Sequence, residues 1–565
     1  MWKINRNSIE RAIPGIGVLL HYDRAQWRHD AVAAAVVAVV LIPSAIAYAD
    51  LAHCAPAAGL YASIAGMTAF ALFASSRHLI VGPDAAIALL VGAAIGPLAG
   101  GDPGKAVALA TALAVLTAGV LFLMARLRLG IAADFLSSPA LLGFMNGAAI
   151  VIVASQLGKL CGISLTEDNT LLRLWEWASR LGSVHRPTLL AGLVCVGILV
   201  VCRWVPRGIP GAVAVFAIAL VAGRMIDFAQ EGIQVIGKLD LEIPNPVRPG
   251  LQLAQAAPLF TSAIGIALLV LSEGVVLGRS VGGKHGYSID PDRELVAFGM
   301  ANLAAGFVCS FPVGSSQTRT LLNDGTGGRT QMVSLLAAVA TAVLVVLLAP
   351  WLATMPSVAI AAILVVTGVT LVDLGIYRRL WRHHGYSTVV AMATTLGVVA
   401  LGVLPGILLG IVLSLLGVLA AVVRPHDALL GHIEGSPTLH DVGDDEAAKT
   451  IPGLVVYRFY GPLIFANIRF FVERLESFIA QEEDPVREVI LDARAIPSID
   501  ITATEQLREF VEKLRQRGIE FIVAKAHLPL REAIAAIGGS LDGCCRFSQL
   551  ADAVAAYNDQ LAAKR

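Results

Sequence analysis

Apolar runs of spanning length follow one another from about residue 31 to residue 423, parted by short polar turns, and nothing else in the chain restricts its fold so strongly. A bilayer's hydrocarbon core takes about 20 apolar residues of helix, and the lack of water inside it makes each backbone N–H and C=O find a partner within its own segment. The runs lie near 31–52, 55–74, 79–98, 105–125, 134–158, 187–204, 208–227, 258–279, 291–308, 309–323, 330–350, 354–374, 386–402 and 405–423. They number fourteen, an even count that returns the chain to its starting side. With 565 residues, 56% hydrophobic and 15% charged, at a mean hydropathy of +0.73, the chain exceeds what a soluble core needs. It reads as a polytopic α-helical membrane protein.

Charge placement sets the orientation. Lys3, Arg6, Arg11, Arg24 and Arg28 precede the first run, which puts residues 1–30 in the cytoplasm by the positive-inside rule. The predicted inner loops hold Arg77, Arg126, Arg128, Arg203, Arg207, Arg279, Lys284, Arg293, Arg329, Arg378, Arg379 and Arg382, while the turns near Gly100 and Pro405 hold almost none. Two longer outer segments, 159–186 and 228–257, mix basic residues with Glu167, Asp168, Glu176, Glu231, Asp240 and Glu242; interfacial or loop structure is expected there. The expected location is the cell's inner (cytoplasmic) membrane, with both termini cytoplasmic. The first thirty residues lack the apolar core and cleavage site of a secretory signal.

Several function classes drop out. A formal net charge of zero leaves no basic footprint for nucleic acid. The seven cysteines form no CxxC pair or disulfide framework, and Cys544-Cys545 read as ordinary thiols in a reducing compartment. His383-His384 beside Arg382 form a cationic patch without further metal ligands. No nucleophile-base pairing or Walker loop is present, so neither an enzyme nor a cofactor is expected.

Two runs are interrupted. Ser310 to Gln331, SFPVGSSQTRTLLNDGTGGRTQ, places a proline, several hydroxyls, an arginine and a Gly-rich turn inside the apolar series. Pro312 favours extended backbone before it, and Gly314-Ser315-Ser316 suits a helix that starts partway through the bilayer, where its free N–H groups attract anions. Leu79-Ile80-Val81-Gly82-Pro83-Asp84 has the same grammar: a short β-like run, then Gly-Pro, then an apolar helix. These are the third and tenth runs, the correspondence that two inverted seven-helix repeats require, and such pairs mark a midplane site.

After Val423 the character changes. Arg424 to Thr450 reads as a polar linker, and residues 451–565 as a soluble α/β domain in which strands at 453–460, 487–492 and 521–525 alternate with helices at 467–481, 502–517, 528–537 and 548–563.

The ordered motifs of the chain resemble those of the sulfate-permease (SulP) anion transporters, relatives of prestin and pendrin. They are Ile42-Pro43-Ser44-Ala45-Ile46-Ala47-Tyr48-Ala49 with Gly59-Leu60-Tyr61, then Gly82-Pro83, Lys284-His285-Gly286-Tyr287, Thr318-Arg319-Thr320 with Gly325-Thr326-Gly327-Gly328, and a C-terminal stretch similar to a STAS module. The resemblance implies a core and a gate domain, spans three and ten meeting head to head around one anion, and an elevator-like alternating access. It also implies a cytoplasmic regulatory STAS domain and a homodimer.

The anion-binding candidates are the backbone N–H groups of Ala85, Ala86, Ser316 and Gln317, the hydroxyls of Ser315, Ser316 and Thr318, and, from the first-span motif, Ser44 and Tyr48. The serines also suit helix capping. Arg319 matches the family's arginine after the half-helix start; a charge at bilayer depth costs about 2.5–3.5 kcal/mol on insertion scales, so it is expected to face the site. Glu273, the one acid of its span, suits proton coupling and is an alternative internal partner for Arg319. Two residues depart from the family pattern. Ser44 stands where many members have Gln or Glu, and Asp84 follows Gly82-Pro83 where many have a small or apolar residue. Asp84 either caps its helix, or is protonated during binding as a second coupling group, or turns away. In Ser498-Ile499-Asp500-Ile501-Thr502-Ala503, Thr502 takes the phosphoacceptor position of related STAS proteins, though Thr502 and Glu505 also form a capping box, the reading ranked first.

The reading is a secondary active transporter of small inorganic or organic anions, coupled to protons, with sulfate leading and bicarbonate, dicarboxylate, chloride or nitrate behind it. A reading of another class is a membrane-anchored scaffold whose STAS domain recruits a cytosolic partner.

Overall fold

The computed structural model describes residues 13, 15, 22–130, 137–167, 169–204, 210–239, 253–383, 385–436, 438–541 and 543–563. Lys3, Arg6, Arg11, Asp168, Arg207, Asp240, Glu242 and His384 lie outside them. Two compact units are present, Met1–Ser414 and Leu415–Arg565.

The first unit begins with α1 (Trp27–Leu51) and α2 (Pro56–Phe73), then β1 (Val81–Gly82), α3 (Ala85–Ala99), α4 (Pro103–Arg126), α5 (Ser138–Cys161), α6 (Thr170–Ser179), α7 (Arg186–Trp204) and α8 (Gly211–Met225). The second half repeats the order: α9 (Leu253–Lys284), α10 (Pro291–Phe307), β2 (Gly314–Ser315), α11 (Gln317–Gly325), α12 (Met332–Leu352), α13 (Ser357–Leu371), α14 (Leu374–His383), α15 (Gly385–Leu401) and α16 (Val403–Val423). Among the described residues, seven helices are long and apolar enough to cross a membrane and five shorter ones are apolar; with α10 and α11 they make the fourteen expected. The segment 159–186 contains α6, an amphipathic helix set between spans.

The spans sort into two bundles. In one, α10 packs on α4 and α2, α12 on α1 and α2, and α9 on α4. In the other, α5 packs on α15 and α13, and α7 on α8 and α13. Small residues set the closest approaches: a Cβ on Gly143 of α5 would meet Ala391 O of α15 at 2.3 Å, and one on Gly406 would meet Val398 N at the same distance. Helices draw together in lipid by such packing, since the hydrophobic effect does not favour helix over lipid.

The second unit holds a five-stranded sheet of β3 (Asp427–His432), β4 (Leu439–Asp441), β5 (Leu454–Phe459), β6 (Glu488–Asp492) and β7 (Glu520–Ala524), ordered β4-β3-β5-β6-β7. β5, β6 and β7 run parallel, and β3 is antiparallel to β4 and β5. Period-two alternation feeds both faces. Val455 and Tyr457 pack under α17 (Ile468–Gln481) and α18 (Ile501–Gln516), while Leu454 and Val456 meet α20 (Leu550–Ala563); α19 (Leu528–Ile537) completes the helices. The expected linker 424–450 is therefore corrected: it supplies β3 and β4. Its charges mask a short strand whose Ala428 and Leu430 are buried.

Candidate functional site

The two interrupted segments meet. Val81 pairs with Ser315 and Gly82 with Gly314 in an antiparallel two-residue ladder, and from it α3 and α11 run on as half-helices. The helix at the second interruption starts at Gln317, three residues later than Gly314, because Gly314 and Ser315 are spent on that ladder. At nine residues α11 is only about 13 Å long. Gly314 is needed at the crossing, since a Cβ there would lie 2.3 Å from Ile87 Cδ1.

Polar side chains of the second segment hold the first in register. Ser316 N donates to Ile80 O at 3.0 Å, Thr320 Oγ1 accepts from Ile80 N at 3.1 Å, and Asn323 Nδ2 donates to His78 O at 2.8 Å. Gln331 Nε2 donates to both Ser76 O and Leu79 O at 3.0 Å. Asn302 clamps the approach to β2, its amide bonding Val313 through both N–H and C=O. The sequence reading missed Thr320, Asn323, Asn302 and Gln331; the signal was there, since Arg319, Thr320 and Asn323 share the buried face of α11.

Arg319 is 2% exposed. Its Nη2 donates to Pro83 O at the mouth of the opposite half-helix, and Gly82 makes room, because a Cβ there would sit 3.2 Å from Nη2. Nε and Nη1 are buried without a hydrogen-bond partner, and so is Ser315 Oγ. No ion pair joins Arg319 to Glu273 among the described residues, which corrects the alternative of an internal partner: one N–H of the guanidinium goes to a carbonyl across the ladder.

The two half-helix ends are unequal. Asp84 caps α3, its carboxylate accepting from Ala86 N at 3.2 Å, so the Ala86 N–H is already taken and the capping alternative describes Asp84. At α11 the N-cap is Ser316, yet no side chain caps the helix, which corrects the capping reading of Ser315 and Ser316. The Ser316 N–H is committed to Ile80 and the Ala85 N–H also serves the Asp84 carboxylate, leaving Gln317, among the described residues, as the open donor of the original four. The side chains of Gln317 and Thr318 are exposed, on the opposite face of α11 from Arg319.

The remaining candidates surround this point unevenly. Ser44 bonds back to Val40 O and Leu41 O at 3.1 and 2.9 Å, so its one proton stays in α1. Tyr48, one turn on, lies within electrostatic reach of both Asp84 and Arg319. Glu273 stands on α9 three residues past Val270, which packs on Gly314, and it feels the charge of Asp84. Thr502 is exposed in the first turn of α18, whose cap is Asp500, accepting from Ala503 N at 2.7 Å; the capping-box reading of Thr502 and Glu505 is thus corrected to a single cap by Asp500.

Comparison with known proteins agrees with this architecture. The profile of the sulfate permease family matches residues 27–394, and that of the STAS domain residues 447–540. A protein of Mycobacterium tuberculosis named probable sulfate transporter is 36% identical over 524 residues, covering 93% of each chain. Sulfate transporter 3.1 of Arabidopsis thaliana is 28% identical over 552 residues, covering 92% of this chain and 83% of its own. The solved structure of SLC26A9 superposes with a TM-score of 0.88 at 20% identity, covering 99% and 94%. The transmembrane domain of a cyanobacterial bicarbonate transporter, BicA, gives 0.60 at 22%, covering 69% and 97%. With fourteen spans, a paired half-helix crossing and matches of this length, the chain belongs to the sulfate permease family.

Proposed function

We propose that this chain takes up sulfate as a secondary active transporter coupled to protons, with the anion held where α3 and α11 meet. The observation that carries the reading is the set of buried donors without partners: Arg319 Nε, Arg319 Nη1 and Ser315 Oγ, beside an uncapped helix N-terminus. A buried polar group without a partner costs about 1–3 kcal/mol, more when charged. Three such donors are stabilised by an acceptor, and a tetrahedral oxyanion presents several acceptor atoms at once. The names of the relatives favour sulfate among such anions.

Glu273 and Asp84 are the coupling carboxyls in this reading. Glu273 feels the charge of Asp84 in a water-poor setting, where a proton on one of the two relieves the repulsion. Transport follows from an elevator-like shift of the α1–α4 and α9–α12 bundle against the other, in the cytoplasmic membrane, by a homodimer with both termini in the cytoplasm. The C-terminal domain regulates it, through a cytosolic partner or through phosphorylation at Thr502.

The test is uptake of labelled sulfate into proteoliposomes with and without an inward proton gradient. Gradient-driven uptake that disappears in Arg319→Ala is the expected result. Transport of bicarbonate, fumarate or chloride in place of sulfate would move the substrate and keep the site. No transport of any anion would leave the scaffold reading.

A further inference from the structure

Two residues past Tyr48, the last turns of α1 and α5 meet on the face opposite to the start of α1. Asp50 closes α1 and Lys159 closes α5, and Lys159 Nζ reaches both carboxylate oxygens of Asp50 at 2.5 Å. α1 belongs to one bundle and α5 to the other, so this ion pair ties together the two bodies that have to move apart. Both side chains keep contact with water, 41% exposed for Lys159 and 35% for Asp50.

A cavity of about 520 Å³ lies beside the pair, lined by Asp50, Lys159, Gln156 and Ser357 among others. Gln156 shares the Lys159 face of α5 at a spacing of three residues. Its side chain is 2% exposed and its Oε1 has no partner; the amide hangs from Ser155 by Nε2 alone. Gln156 lines the cavity, and its amide carries N–H donors as well as an oxygen. Ile46, one turn before Asp50 on α1, forms the wall toward the membrane interior and is 1% exposed.

We propose that Lys159 is the first point at which an oxyanion is held on this face, and that the anion opens the latch by taking Lys159 from Asp50. The cavity is large enough for a sulfate-sized ion, and Lys159 is the cation of its lining. While Asp50 holds Lys159, the bundles stay joined and Ile46 stays covered. An anion that competes for the ammonium releases the tie between α1 and α5 and draws the Gln156 amide as a second donor. This rests on the anion-transport reading of the chain.

The test uses the full-length protein in proteoliposomes, its native cysteines replaced by alanine or serine, with Ile46→Cys as a reporter for a membrane-impermeant thiol reagent. An exposed ion pair is worth about 0.2–1 kcal/mol, so Asp50→Asn and Lys159→Gln are each expected to raise the labelling rate about 1.4- to fivefold. The charge swap Asp50→Lys with Lys159→Asp is expected to return it to the starting value, which separates a latch from mere damage to packing. Sulfate is expected to accelerate labelling when the pair is intact and to have no effect in Lys159→Gln. In uptake the two partners part ways: Asp50→Asn lowers KM and Lys159→Gln raises it. Unchanged labelling in both single variants, or KM moving in the same direction in both, overturns the proposal. If the wild-type chain transports no anion, the reading of its function fails, while the labelling arms still decide the latch.

Discussion

At the scale of single residues, the site is defined by which donors remain uncommitted. Ser315 Oγ is buried and bonds nothing, so Ser315→Ala removes a ligand group without removing a structural bond. A neutral hydrogen bond is worth about 0.5–1.5 kcal/mol, and the expected result is a rise in KM of about two- to twelvefold with an unchanged melting temperature; a large loss of stability would mean that the hydroxyl is structural. Arg319 works differently, because its guanidinium is divided between Pro83 O and the open side. Lysine keeps the charge but not the planar fork. Arg319→Lys is therefore expected to lose at least about tenfold in uptake, and near-normal uptake would show that charge alone suffices.

At the scale of elements, the half-helix pair behaves as one piece because α11 and the turn after it bond the backbone of residues 76–80. Gln331 satisfies two carbonyls that no ladder reaches, Ser76 O and Leu79 O. Gln331→Ala leaves both short of a partner at about 1–3 kcal/mol each. The expected outcome is a lower melting temperature together with reduced uptake, whereas Ser315→Ala lowers uptake alone; comparing the two separates support of the site from contact with the ion. The same scale explains why no serine side chain caps α11. Ser315 has the chemistry of a cap, but the ladder with Val81 draws it into extended backbone before the helix begins.

At the scale of the whole molecule, the C-terminal unit carries its own dependence on pH. Glu488 is 4% exposed and sits opposite Glu520 in the β6–β7 register. Burial and then the Glu520 charge push its carboxyl up to about 7, against the pull of Arg546. A carboxyl raised in the folded state holds its proton there at pH values where the unfolded chain has lost it. Stability therefore falls as pH rises from about 4.5 toward 7 and stays low above. Hydrogen-exchange protection in β6 and β7, corrected for intrinsic rates, should be higher at pH 5 than at pH 8. Glu488→Gln should raise it at pH 8 and flatten the profile; an equal pH dependence in the variant would assign the effect elsewhere.

How much of this was legible in the sequence follows from the range of the forces involved. The spans, their number, the two interruptions and most strands of the C-terminal sheet were readable, because hydropathy, proline and glycine act within a few residues of themselves. β3 was hidden, since its value lies in pairing with β5 rather than in its own composition. Which donors are free at the half-helix crossing, that Arg319 meets Pro83 O and not Glu273, and that Asp50 finds Lys159 across two bundles were decided by tertiary structure alone. Those partners stand more than a hundred residues apart in the chain, and only packing brings them within reach of a hydrogen bond.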